Sequence, residues 1–160
     1  SKTEVATITK VYGVIMTLVG AALGGVLVMR FGTLRILFLG AVLTASTNLL
    51  FALLNEVGHD LELLTLIISL DNLSAGIATA AFVTYLSSLT NVAFSATQYA
   101  LFSSIMLLMP KLLAGFSGQV VEQIGYSSFF VGTSLLGIPV MILIIMVSKR
   151  GDALLPQADK

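Results

Sequence analysis

Asp71 and Lys111 are the residues of this sequence best suited to proton or ion chemistry, because each interrupts a long apolar run. Asp71 lies within residues 61–89, and Lys111 lies within residues 94–121. An ionised side chain near the middle of a bilayer costs about 2.5–3.5 kcal/mol on insertion scales, and such residues usually face a bundle interior or a water-filled path. Asp71 is therefore a candidate proton acceptor, and Lys111 is a candidate partner for it or for an anionic solute.

The composition of the chain indicates a membrane protein. Hydrophobic residues make up 57% of the sequence and charged residues 10%, whereas a soluble domain carries about 25% charged residues. The net charge of zero gives no indication of nucleic-acid binding, and the absence of cysteine excludes disulfides and thiolate metal sites. No metal-ligand cluster, nucleophile–base pair or phosphate loop is visible, so we predict no enzyme, no metal site and no cofactor.

Five apolar segments predict an all-α membrane protein, since each approaches the roughly 20 residues that span a bilayer. We expect residues 1–150 to form a five-helix transmembrane bundle and residues 151–160 to form a polar cytoplasmic tail. A capping box at Ser1–Glu4 is expected to open the first helix, and the lone histidine, His59, is expected in a polar loop. The predicted helices cover about residues 2–29, 36–54, 61–89, 94–121 and 129–147.

Basic residues predict the orientation of these spans. Arg30 and Arg35 fall between the first two segments, and Lys149 and Arg150 follow the last segment, so all four lie on one side of the membrane. Under the positive-inside rule that side is cytoplasmic. We therefore expect a multi-pass protein of the inner membrane, with the first residue of this chain periplasmic and its C-terminus cytoplasmic.

The two intramembrane charges are predicted to lie at similar depth. A rise of 1.5 Å per residue places Asp71 roughly 15 Å and Lys111 roughly 16 Å from the outer ends of their helices. An ion pair between them, direct or through water or solute, is geometrically allowed, and a purely structural buried pair is the alternative. Glycines such as Gly20 and Gly24 favour close helix packing.

One stretch of the sequence resembles a known signature. Residues 24–35 read Gly-Gly-Val-Leu-Val-Met-Arg-Phe-Gly-Thr-Leu-Arg, which is similar to the cytoplasmic signature loop of the major facilitator superfamily. Met29 replaces the aspartate of that pattern, as in the degenerate second copy between the eighth and ninth of twelve helices. The resemblance implies that the chain forms part of the C-terminal six-helix half of a major facilitator fold, from the eighth helix to the twelfth, and that N-terminal helices are missing. The implied gating loop contains Gly24, Gly25, Arg30, Gly32 and Arg35.

A narrower resemblance begins near the fourth segment. Residues 94–104 read Phe-Ser-Ala-Thr-Gln-Tyr-Ala-Leu-Phe-Ser-Ser, which is similar to AmpG-type muropeptide permeases, as are Lys10 with its neighbours and the Asp71-Asn72 pair. This resemblance implies proton-driven import of anhydromuropeptides for peptidoglycan recycling. Related families carry acetyl-CoA or siderophores, so another solute, including a sugar-like one, remains open.

The predicted mechanism is proton-coupled import of a small amphiphilic or sugar-peptide solute by alternating access, within membrane lipid and without a nucleic-acid partner. Asp71 and Lys111 are the predicted proton-coupling residues, and Lys10 is expected to attract an anionic peptide carboxylate. A membrane scaffold subunit without transport activity is the alternative from another class. The other candidates for hydrogen bonding to the solute are Tyr12, Asn72, Gln98, Tyr99 and Gln119.

Overall fold

The computed structural model describes residues 8–58, 60–90 and 95–154, and every regular element in these ranges is a helix. Five helices are long and apolar enough to cross a membrane, which confirms the predicted all-α membrane fold with five spans. A π-helical turn, Ile8–Tyr12, leads into the first of them. The helices are α1 (Gly13–Phe31), α2 (Thr33–Val57), α3 (Leu61–Leu89), α4 (Ser95–Ile124) and α5 (Tyr126–Leu154).

The bounds of α3 follow directly from local sequence. Asp60 has extended backbone, and its carboxylate accepts hydrogen bonds at 3.0 Å from the backbone N–H groups of Glu62 and Leu63. This N-cap satisfies two of the donors that the first turn of a helix leaves free. The helix therefore begins at Leu61 and runs to Leu89, as the apolar pattern predicts.

The other helices extend beyond the ranges expected from the apolar runs. The helix α2 begins at Thr33 rather than near residue 36, and α5 continues to Leu154. Residues 151–154 are thus helical, although they were expected to belong to a polar tail. Several predicted features lie outside the described residues: the capping box at Ser1–Glu4, the helix start near Lys2, His59, Phe94 and residues 155–160.

A single residue, Gly32, connects α1 to α2. Its φ of 88° and ψ of 152° fall in a region that is essentially reserved for glycine. Its backbone N–H donates to the carbonyl of Val28 at 2.9 Å and so caps α1. Arg30 and Arg35 consequently lie in the last turn of one helix and the first turn of the next, rather than in an extended loop.

The centre of the fold is α3, which packs against both α1 and α2. At the α1–α3 contact a Cβ on Gly20 would strike the carbonyl oxygen of Leu73, and one on Gly76 would strike that of Thr17. A Cβ on Gly24 would lie 2.8 Å from the Cα of Ile77. These glycines let two backbones meet, which is the small-residue packing expected between membrane helices.

The helix α5 packs against α2 on the side away from α1. Phe51 of α2 stacks on Phe130 of α5 with ring centroids 5.2 Å apart. Near the centre of this contact the buried Ser134 hydroxyl donates to the carbonyl of Ala45 at 2.8 Å. The spatial order of the packed helices is therefore α1, α3, α2, α5, although α1 and α2 are neighbours in the chain.

The helix α4 stands apart from this packed group. It contacts α3 and α5 only sparsely, and none of its described side chains, from residue 96 to residue 124, is buried. A Cβ on Gly115 or Gly118 would meet nothing within 4 Å, so these glycines make no close packing with the described residues. The four helices α1, α2, α3 and α5 thus form the packed bundle, and α4 presents an uncovered apolar surface.

Candidate transport site

Asp71 lies half-buried in the middle of α3, where its side chain faces α2. The hydroxyl of Thr47 donates a hydrogen bond to Asp71 Oδ1 at 2.8 Å. Thr47 itself is 3% exposed, so water has little access to its side of this contact. A hydrogen bond to an ionised acceptor contributes about 1.5–3 kcal/mol, which makes Thr47 a stabilising partner for a charged Asp71.

The Thr47 hydroxyl also lies 3.0 Å from the carbonyl oxygen of Thr44, one turn earlier in α2. A hydroxyl has a single hydrogen, so it donates fully to only one of these two acceptors at a time. When Asp71 is ionised, its carboxylate is the stronger acceptor. When Asp71 is protonated, Thr47 is free to turn to its own helix. The arrangement can therefore respond to a proton on Asp71 by a change of hydrogen-bond partner.

Asn72 follows Asp71 but faces α1. Its side-chain oxygen accepts from the hydroxyl of Thr17 at 3.0 Å, and its amide nitrogen donates to the carbonyl of Ile68 at 2.8 Å. A Cβ on Gly13 would lie 3.1 Å from that amide nitrogen, so the Asn72 side chain fills the space that Gly13 leaves. Asn72, predicted as a solute-binding residue, is engaged in holding α1 against α3 in this structure.

The structure does not bring Lys111 to Asp71. Lys111 is exposed on α4, whereas Asp71 faces α2 on the packed side of the bundle. No ion pair within 4.0 Å involves either residue in the part of the chain that the structure describes. Both charges occupy the middle of their helices, as predicted from the sequence, but they point into different environments.

The remaining predicted solute-binding residues are spread along the bundle. Lys10 is exposed on the π-helical turn, and Tyr12 borders a cavity of about 460 Å³ beside Leu61 and Glu62. Gln98 and Tyr99 are half-buried near the start of α4. Gln119 is exposed roughly 30 Å further along the same helix, given a rise of 1.5 Å per residue. The structure therefore does not gather these residues into one pocket.

The predicted gating-loop residues fall into two groups. Gly24 and Gly25 lie inside α1, where Gly24 is packed against α3 and a Cβ on Gly25 would meet nothing within 4 Å. Arg30, Gly32 and Arg35 surround the α1–α2 connection, and the Arg30 guanidinium lies 5.7 Å from the centroid of the Phe31 ring. Only the second group lies at the connection between two helices, where a gating loop is expected.

Thr47 is a candidate functional residue that the sequence reasoning missed. The second apolar segment contains no charged residue, so a search for intramembrane charges passes over it. A signal was nevertheless present, since Thr44, Ser46, Thr47 and Asn48 form a polar group in its centre. Polar side chains inside a membrane segment tend to face other helices, and here Thr47 faces the acidic residue of α3.

Comparison with known proteins identifies a matching family and several relatives of this chain. The family model described as "Major Facilitator Superfamily" matches residues 1–160. The protein named "Putative transporter AmpG 4" of Rickettsia felis is 33% identical over 150 residues, which cover 94% of this chain and 36% of the relative. The "Anhydromuropeptide permease" of Escherichia coli strain K12 is 32% identical over 143 residues, covering 89% of this chain and 29% of the permease.

These matches confirm both resemblances that the sequence motifs indicated. The chain spans about a third of the length of these curated relatives. The relatives carry the names of transporters and permeases, and five membrane-spanning helices agree with that class.

Proposed function

The chain belongs to the major facilitator superfamily, and from that premise we propose that it forms part of a proton-coupled transporter that imports anhydromuropeptides by alternating access. In this proposal the helices α1 to α5 correspond to the eighth to twelfth helices of a twelve-helix transporter. The N-terminal helices of the same protein supply the rest of the solute path. The similarity to the Escherichia coli permease supports this choice of solute.

The observation that carries the proposal is the position of Asp71. Among the acidic residues of the described helices it alone lies far from a helix end. Keeping a carboxylate there is costly, and the Thr47 hydroxyl offsets part of that cost. Asp71 is half-buried and ionisable, and its donor, the Thr47 hydroxyl, can turn to the carbonyl of Thr44 instead. Such a group is suited to taking up and releasing a proton during a transport cycle.

Lys111 has a different role in this proposal. It is exposed at the middle of α4, on the apolar surface that the other described helices leave uncovered. An ammonium group at that depth would attract the carboxylates of a muropeptide once the helix lines a solute path. Lys10, exposed at the opposite end from Arg30 and Arg35, would draw the same anionic solute towards the outer mouth.

The proposed location is the inner membrane, with the C-terminus of the chain in the cytoplasm. The end of the bundle that carries Arg30, Arg35, Lys149 and Arg150 would then be cytoplasmic under the positive-inside rule. Import from the periplasm would bring the solute past Lys10 first and then to Lys111 at mid-depth, while Asp71 would take up the proton within the packed part of the bundle.

A second candidate function is a membrane scaffold that carries nothing. The contact between Thr47 and Asp71 favours it, because this bond joins α2 to α3 and would stabilise the fold even without transport. A permease for another solute, such as acetyl-CoA, a siderophore or a sugar-like compound, is the nearer variant of the leading proposal.

Uptake by the full-length transporter in proteoliposomes distinguishes these candidates. Labelled anhydromuropeptide, acetyl-CoA and a ferric siderophore would be offered in turn under an inward proton gradient, with a sodium gradient as the matched control. We expect anhydromuropeptide alone to accumulate, and a protonophore to abolish its accumulation. Accumulation of another solute would redirect the proposal to that solute, and no accumulation of any of them would favour the scaffold.

A further inference from the structure

A long apolar groove lies between α2, α3 and α5, and Met106 of α4 also lines it. It encloses about 560 Å³ and is open on one side. The polar members of its wall are Thr44, Asn48, Thr79, Tyr85 and Thr133, and the rest of the wall is apolar. Its volume is within the range of sites that hold a drug-sized ligand, about 300–1,000 Å³. None of the residues proposed for transport lines it.

Water is a poor occupant of this groove, and an empty groove is energetically unfavourable. A water molecule needs two to four polar partners. The half of the groove nearest Arg35 offers only the Tyr85 hydroxyl and, near the middle of the groove, the hydroxyl of Thr79, which follows Ala78 beside Gly40. An empty space of this size would deprive the wall residues of dispersion contacts. An apolar occupant is therefore expected wherever the surroundings supply one, and in a bilayer they supply acyl chains.

The length of this half of the groove fits one leaflet. From Leu34 to Thr44 the α2 wall is about 15 Å long at 1.5 Å per residue. The hydrocarbon core of a bilayer is about 30 Å thick, so one leaflet contributes about 15 Å. The deeper polar members of the wall, Thr44 and Asn48, begin where such a chain would end.

The open end of this apolar half is basic. Arg35 follows the lining residue Leu34, and Arg150 lies one helical turn beyond the lining residue Val147. Arg30 and Lys149 belong to the same end, and all four side chains are exposed. In the flanking sequences 30–35 and 149–154 the only acid is Asp152. Basic pockets between membrane helices bind anionic lipid head groups.

From these observations we propose that the groove between α2, α3 and α5 binds one acyl chain of an anionic phospholipid from the leaflet at its basic end. Arg35 and Arg150 hold the phosphate, and the wall from Leu34 to Ala41 on α2 and from Val140 to Val147 on α5 holds the chain. Tyr85 stands near the boundary between the two, where tyrosine is favoured in membranes. None of the residues proposed to bind the solute or the proton lines this site, although Thr44, whose carbonyl is the second acceptor for the Thr47 hydroxyl, does.

Photolabelling of the full-length transporter in nanodiscs tests the site. The probe is phosphatidylglycerol with a diazirine on one acyl chain, with the phosphatidylcholine analogue for comparison, and labelled peptides are mapped by mass spectrometry. We expect phosphatidylglycerol to label residues 34–44 and 140–147 most strongly. Ala41→Phe, which fills the groove, should lower that labelling at least fivefold. Leu49→Phe is the matched control, because Leu49 is exposed on α2 and lies outside the groove wall.

A second experiment tests whether Arg35 and Arg150 bind the phosphate of the lipid. Arg35→Gln with Arg150→Gln should lower labelling by phosphatidylglycerol severalfold and leave labelling by phosphatidylcholine unchanged. If Ala41→Phe does not fold, Val140→Phe fills the groove from the opposite wall. Labelling spread evenly over all exposed helix faces would overturn the site, as would labelling that survives filling of the groove. Equal labelling by the two lipids would overturn the selection for anionic head groups.

Discussion

The contact between Thr47 and Asp71 gives a prediction whose size depends on the charge of Asp71. Replacing Thr47 by Val removes the hydroxyl that lies 2.8 Å from Asp71 Oδ1 and keeps the branched shape of the side chain. Neutral hydrogen bonds between membrane helices average about 0.6 kcal/mol, with a maximum near 1.7. A hydrogen bond to a charged group contributes about 1.5–3 kcal/mol. The two ranges barely overlap, so the measured energy reports the protonation state.

A double-mutant cycle isolates this energy from other effects of the substitutions. Thr47→Val, Asp71→Ala and the double variant would be compared with the unaltered transporter by detergent-induced equilibrium unfolding at neutral pH. An ionised Asp71 predicts a coupling free energy of about 1.5 kcal/mol or more, and a protonated one predicts about 0.6 kcal/mol. Ser46→Ala is the control, because the exposed Ser46 hydroxyl bonds only within α2, to the carbonyl of Val42. Additive effects of the two substitutions would refute the hydrogen bond itself.

Further predictions concern the packing of the bundle. Gly76→Val should destabilise the protein by more than the roughly 1–3 kcal/mol of ordinary overpacking, because the new Cβ would strike the Thr17 carbonyl. Gly25→Ala is the control and should be tolerated, because a Cβ there meets nothing within 4 Å. Thermal unfolding in detergent measures both variants, and equal midpoints would contradict the close α1–α3 contact. Gly32→Ala should cost about 1–3 kcal/mol, because its φ of 88° is strained for alanine; the same assay would show no loss if the connection were relaxed. Ser127→Ala should lower stability by about 1 kcal/mol, since Ser127 links Asn55 and Glu56 of α2 to α5, whereas the exposed Ser128→Ala should change little.

The sequence predicted the helices and the depth of their charges better than the direction in which the charges face. The range of α3 could be predicted because its apolar run begins at Leu61 and ends at Leu89, and the structure shows that Asp60 caps its start. Mid-helix positions for Asp71 and Lys111 follow from a fixed rise per residue. These features are local, so one segment at a time is enough to derive them.

The partners of these charges depend on how the helices are arranged. Apolar runs of similar length do not reveal that α3 lies between α1 and α2, or that α4 stands apart from both. The role of Thr47 depends on this arrangement, because a threonine in a membrane helix usually bonds its own backbone. Here the same hydroxyl reaches Asp71 as well as its own helix, which only the three-dimensional contact between α2 and α3 reveals.

The most direct test of the account is whether Asp71 couples transport to protons. Asp71→Asn keeps the size of the side chain and an oxygen that can accept from Thr47, but it cannot exchange a proton at neutral pH. In proteoliposomes containing the full-length transporter, we expect this variant to retain exchange of labelled for unlabelled anhydromuropeptide across the membrane. It should lose accumulation driven by an inward proton gradient. Accumulation equal to that of the unaltered transporter would contradict the assignment of Asp71 as the proton acceptor.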